Sequence, residues 1–151
     1  MIYVIKLKGG MVMRVTVNFQ GNMQFQGLAH PGHKVTMDAA ETVGGQDQGP
    51  KPSEMLLFAL GGCTGMDVVS LLKKFGTEYK KLSIELEGEQ APEHPRAIRK
   101  ISVKYKFKGE NLDPEKARLA VEKSLGKYSV VRHSLVADVE YTIEINGEEI
   151  K

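Results

Sequence analysis

Residues Gly49 to Lys74 read GPKPSEMLLFALGGCTGMDVVSLLKK, and this stretch decides the architecture. Pro52-Ser53-Glu54 is a helix start. Ser53 supplies an N-cap oxygen, and Glu54 puts negative charge in the first turn, where the helix dipole favours it. From Met55 to Leu72 the residues are apolar almost all round, so the predicted helix is buried or packs on several neighbours at once. Lys73-Lys74-Phe75-Gly76 closes it with basic residues and a glycine. Gly61-Gly62 interrupts the segment directly before Cys63, the only cysteine of the chain. Glycine permits a backbone break or a close approach; a break would set Cys63 near the N-terminus of a second helical piece.

Strand patterns flank this helix on both sides. Tyr3 to Leu7 is a short β-prone run ended by Gly9-Gly10, and residues 1–12 are either an extra strand or an N-terminal extension. Met13 to Phe19 places Val15, Val17 and Phe19 on one face, as a half-buried strand does. Gln20-Gly21-Asn22 turns the chain into a return strand from Met23 to Gln26, and Val35 to Ala39 is a third strand before the loop Gly44 to Lys51. Beyond the helix, Ser83 to Glu89 and Ile101 to Phe107 alternate and pair across the turn Ala91 to Pro95. Asp113-Pro114-Glu115 opens a second helix whose apolar face is Ala117, Ala120, Val121 and Leu125; Gly126 ends it. Ser129 to Leu135 reads as a connector and Val136 to Ile145 as a final strand. The expected class is α+β: an N-terminal β-hairpin sheet, a central buried helix, a β-meander, a second helix and a last strand, in a single domain over residues 1–151. So apolar a central helix does not suit the surface of a small monomer, and a homodimer that buries it is expected.

A chain of 151 residues is long enough to bury roughly 70% of its unfolded surface. With 41% apolar and 26% charged residues it is an ordinary globular composition. Lys and Arg number 21 against 19 Asp and Glu, a balance that points to neither a nucleic-acid nor a membrane partner. No uninterrupted apolar run reaches membrane-spanning length, and MIYVIKLKGG has neither a basic start nor a cleavage pattern, so a cytoplasmic location is expected. A single cysteine rules out an internal disulfide framework and agrees with a reducing compartment. His30, His33 and His94 show no metal-ligand spacing, and no Lys-Ser/Thr pair follows either double glycine as a phosphate loop requires.

Cys63 is the residue with chemical reach. An ordinary thiol with pKa near 8.5 is only a few per cent ionised at pH 7. A helix N-terminus contributes about 0.3–1 kcal/mol, less than one pH unit, so a reactive thiol needs a cation or a hydrogen-bond donor as well. The plainer reading of one cysteine in an apolar helix is a small buried hydrophobe.

The Gly49–Lys74 stretch resembles the peroxidatic-cysteine helix of the OsmC/Ohr family (osmotically inducible protein C-like), and is most similar to its YhfA-like branch, in which GGC is followed by an acidic residue and two valines. GHKVTMDA, Gly32 to Ala39, resembles that branch's strand before the helix, and GKYSVVRHSL, Gly126 to Leu135, its segment around a second cysteine. The resemblance covers about Met13 to Ile145. It implies an intertwined homodimer with the active sites at the subunit interface, and peroxidase chemistry that reduces organic hydroperoxides or hydrogen peroxide in oxidative stress defence. There a low-pKa thiolate becomes a sulfenic acid, a second cysteine resolves it, and a dithiol reduces the disulfide, with no bound cofactor.

Carried over residue by residue, Cys63 matches the peroxidatic cysteine, while the resolving cysteine falls on Ser129, which cannot form a disulfide. The family's arginine-orienting glutamate lies ten positions before the cysteine, where this chain has Ser53; Glu54 matches the next acidic residue. The arginine itself has no clear counterpart. Arg14 lies on the first matching strand, and Arg132 and His133 beside Ser129 are candidate substitutes, though a solvated turn is their plainer role. Asp67, one helical turn after Cys63, belongs to the branch pattern; a carboxylate there would raise the thiol pKa unless it is paired, and a structural role is expected of it. Two readings follow. One is a one-cysteine thiol peroxidase that uses an external thiol reductant. The other is a redox-degenerate relative with a small-molecule-binding or regulatory role.

Overall fold

The computed structural model describes residues 6–7 and 10–150. The backbone divides into two compact units between Met55 and Leu56. In the first, β1 (Lys6–Leu7) pairs antiparallel with β2 (Gly10–Met11), which makes that part of residues 1–12 a small strand pair. The rest of the expected Tyr3–Leu7 run lies outside the described residues. Next come β3 (Val15–Gly21), β4 (Gln24–Ala29) and β5 (His33–Met37), an antiparallel sheet in chain order. The β3–β4 turn uses Asn22 at φ 50°, a left-handed position that asparagine tolerates well. The alternation of β3 is as expected, but the expected half-burial is not found among the described residues: Val15, Val17 and Phe19 are 65%, 52% and 62% exposed. Phe19 meets its cross-strand partner Phe25 in a tilted pair, with ring centroids 5.4 Å apart.

The loop after β5 is organised by a buried carboxylate. Asp38 accepts backbone N–H bonds from Ala39 at 2.8 Å, Gln46 at 3.2 Å and Gln48 at 3.1 Å. Burial works against its charged form, but the Gln48, Ala39 and Gln46 donors outweigh burial and hold the carboxyl below its ordinary value.

The first turn of α1 (Pro52–Lys74) begins just before the division between the units. Helix α1 starts at Pro52, so Ser53 is not the N-cap. Proline suits the first helical position, and Glu54 reaches back to the Lys51 N–H at 2.8 Å, which caps the turn from the third position instead. Nor does the helix break at Gly61-Gly62, which leaves Cys63 in mid-helix, away from any helix N-terminus. Gly61 serves close approach. A Cβ there would lie 2.8 Å from Leu86 Cδ1, and one on Gly65, a turn later, 2.9 Å from Ile84 Cδ1.

The second unit continues with β6 (Lys81–Gln90), β7 (Ile98–Lys108), α2 (Pro114–Lys123), a wide π turn (Ser124–Tyr128), α3 (Val130–Ser134), β8 (Asp138–Ile145) and β9 (Glu148–Ile150). The sheet order is β6-β7-β8-β9. Strand β8 runs parallel to β7, so the chain must cross over between them, and α2 and α3 lie on that crossover. Asp113 caps α2 through Glu115 and Lys116, as expected. The helix does not stop at Gly126 but widens into the π turn, and the expected connector contains α3.

The core lies in this unit. Ile101, Val103, Tyr105 and Phe107, alternate residues of β7, are buried with Leu60, Val68 and Leu72 of α1 and Ala117, Ala120 and Val121 of α2. On the other face of the sheet Lys106 meets Glu85 at 2.9 Å and Lys100 meets Glu140 at 2.8 Å. By length and mean hydropathy (1.8 over its most apolar window) α1 would suffice to cross a membrane, although no uninterrupted run in the sequence shows it. Core helices of globular folds meet the same criterion, and one side of α1 is taken up by this core. The opposite side is open: Phe58, Met66 and Val69 are exposed, and nothing lies within 4 Å of a Cβ built on Gly62.

Candidate active site

Cys63 sits half-buried on α1, at the edge between the packed side and the open side. Its polar neighbour is Ser129, which is fully buried and donates its hydroxyl proton to Cys63 Sγ across 3.2 Å. A serine has one proton to give, and its oxygen is already engaged on one side. Ser129 is the N-cap of α3, and its Oγ accepts the Arg132 backbone N–H at 3.2 Å. Accepting that bond polarises the hydroxyl as a donor, and the sulfur at 3.2 Å is the acceptor within its reach among the described residues. The Ser129 carbonyl is held by His133, whose Nδ1 lies 2.8 Å away; since a carbonyl only accepts, Nδ1 carries the proton.

A second clamp lies one turn along α1. Asp67 Oδ2 accepts the Ser124 Oγ proton at 2.9 Å. Ser124 is also fully buried, and its longer approach to the Thr64 carbonyl, 3.4 Å, competes poorly for that proton. Beneath this flank Thr64 folds its hydroxyl back onto the Leu60 carbonyl at 3.0 Å. The Tyr105 hydroxyl is buried with no hydrogen-bond partner among the described residues. Burial pushes it up to about 12; Thr64 lies near enough to ease ionisation slightly but outside hydrogen-bond geometry, and the negative charge of Asp67 adds to the rise.

The structure therefore brings together Cys63, Ser129, Asp67 and the backbone of Arg132. The Arg132 guanidinium forms no ion pair or hydrogen bond among the described residues, so this residue meets the site through its amide. Ser53 and Glu54 lie in the first turn of α1, with Glu54 engaged by Lys51. Arg14 is exposed just before β3. Among the described residues no three His, Cys, Asp or Glu side chains converge as metal ligands. Sequence reasoning missed Ser124, which becomes visible only once the π turn carries it against Asp67.

A small α+β fold that holds one thiol on a core helix, beneath a directed serine hydroxyl, defines a thiol-bearing protein. The model of the OsmC-like protein family matches residues 45–144, and the chain belongs to that family. It is 32% identical over 130 residues to protein YhfA of Escherichia coli K12, covering 86% of this chain and 94% of that protein. A hypothetical protein from Aquifex aeolicus VF5 has a similar structure, with TM-score 0.78 and 27% identity over 89% of this chain and 96% of that one. At 10% identity, an organic hydroperoxide resistance protein OsmC from Legionella pneumophila shares the fold, with TM-score 0.64 over 89% of this chain and 96% of that one.

Proposed function

We propose that this chain is a one-cysteine thiol peroxidase that reduces organic hydroperoxides or hydrogen peroxide at Cys63, with electrons from an external thiol. The observation that carries the reading is the Ser129 proton directed at the sulfur from 3.2 Å. It lies where a hydrogen bond stabilises negative charge on sulfur, and the thiolate is the nucleophile. The thiolate attacks the terminal peroxide oxygen; the S–O bond forms as the O–O bond breaks, and the alkoxide leaves as alcohol after taking a proton. Cys63 is then a sulfenic acid. Ser129 has no sulfur with which to close a disulfide, so an external thiol attacks the sulfenic sulfur and releases water. A second thiol reduces the mixed disulfide, returning Cys63 and one oxidised dithiol. The resistance function in the name of the Legionella relative supports the substrate class. The exposed Phe58, Met66 and Val69 beside Gly62 support a homodimer closing over this side of α1.

The test is consumption of cumene hydroperoxide in the presence of dithiothreitol, wild type against Cys63→Ser. Turnover is expected to vanish in the variant, and a sulfenic-acid trap is expected to label only the wild type. Equal consumption by both would end this reading.

A further inference from the structure

Asp67 is badly placed for a thiol that must ionise, since a carboxylate one helical turn away repels a thiolate. Its oxygen is nonetheless held by the fully buried Ser124. The Ser124 carbonyl in turn accepts the Ser129 N–H at 2.9 Å, the bond that closes the π turn. Ser124 is thus fastened to α1 by its side chain and to Ser129 by its backbone. Ser129 reaches α1 again at Cys63, four residues before Asp67. The two serines end one wide turn, and their two contacts on α1 are one helical turn apart.

We infer that Asp67 is a positioning residue for Cys63: by holding Ser124 it fixes the π turn in the register that aims the Ser129 proton at the sulfur. The inference rests on the reading of Cys63 as the working thiol and adds how that thiol is prepared. Asp67 serves as an acceptor, not through its charge. Its charge opposes the thiolate, and its bond to Ser124 offsets this by securing a donor.

Because Cys63 is the only thiol, alkylation by iodoacetamide reports on it alone. The rate is measured against pH in the full chain, where the plateau reports access and the midpoint reports ionisation. Ser129→Ala is expected to move the midpoint to higher pH and slow the pH 7 rate roughly 5- to 10-fold. Ser124→Ala is expected to act in the same direction, by about 3-fold, and to add nothing in the Ser129→Ala background. Asp67→Asn keeps a carbonyl oxygen for Ser124 and removes the charge, so its pH 7 rate is expected to equal or exceed wild type, whereas Asp67→Ala slows. Equal slowing by Ser124→Ala in both backgrounds would overturn the inference, as would Asp67→Asn behaving like Asp67→Ala. None of these readouts involves peroxide, so loss of turnover in Cys63→Ser and failure of this coupling are separate outcomes.

Discussion

The two larger sheets of this chain carry the same alternating pattern and meet opposite fates. In the second unit, Ile101, Val103, Tyr105 and Phe107 point into a core closed by α1 and α2 and are at most 1% exposed. In the first, Val15, Val17 and Phe19 of β3 form an equally apolar row that lies open. A period of two therefore shows that one face is apolar without saying what covers it. The covered sheet finds its cover within the chain; the open one finds none among the described residues, and a second copy is the occupant the proposed dimer would supply.

The sharpest way to break this contrast is to delete one ring from each row. Phe107→Ala empties a packed site and is expected to cost about 3–5 kcal/mol. Phe19→Ala gives up one exposed aromatic pair and is expected to cost under about 1 kcal/mol at high dilution. Urea midpoints at two protein concentrations check both; a Phe19→Ala cost that grows with concentration would show that a second copy covers the row. Equal costs for both rings at high dilution would erase the difference between the sheets.

Tyr105 gives a smaller effect, confined to the covered sheet. Burial raises its folded pKa to about 12, against about 10 unfolded, so the folded state retains the proton longer than the unfolded state does. The resulting stability is fully present below pH 10 and is lost as pH rises toward 12, about 2–3 kcal/mol in all. Tyr105→Phe should flatten that alkaline loss while costing little at pH 7, since the hydroxyl it removes has no partner among the described residues. Denaturation of both proteins at pH 9 and above pH 11 checks this. The smallest effect is local to the first unit. The folded pKa of Asp38 is lowered, so its contribution is present above the ordinary carboxylate value and lost as pH falls through the folded one. Below about pH 4 the loop from Ala39 to Gln48 is expected to open, seen as faster amide exchange at Gln46 and Gln48.

Most of the architecture was legible because it follows from local periodicity. The strands, the long apolar helix and the Asp113-Pro114 helix start all stand within a few residues of where their patterns put them. The errors came where one residue type has two uses. Ser53 is a good cap by identity, but Pro52 takes the first helical position and moves the cap upstream. Glycine at Gly61 permits either a break or a close approach, and the structure uses the second: it makes room for Leu86, a requirement set by a strand more than twenty residues away. Cys63 stands out as the lone cysteine and Ser129 through the resemblance, and the two lie in contact. Ser124 was out of reach because a π turn has no pattern in a single sequence and its partner Asp67 is distant along the chain.

The wide turn makes chain length itself part of the site. Were one residue between Ser124 and Ser129 removed, the five-residue loop of hydrogen bonding would tighten to the ordinary four, and position 129 would swing about 100° around the axis. Every side chain named here could survive such a deletion while the sulfur lost its donor. In this chain the number of residues between these two serines therefore matters to the sulfur as much as the serines themselves.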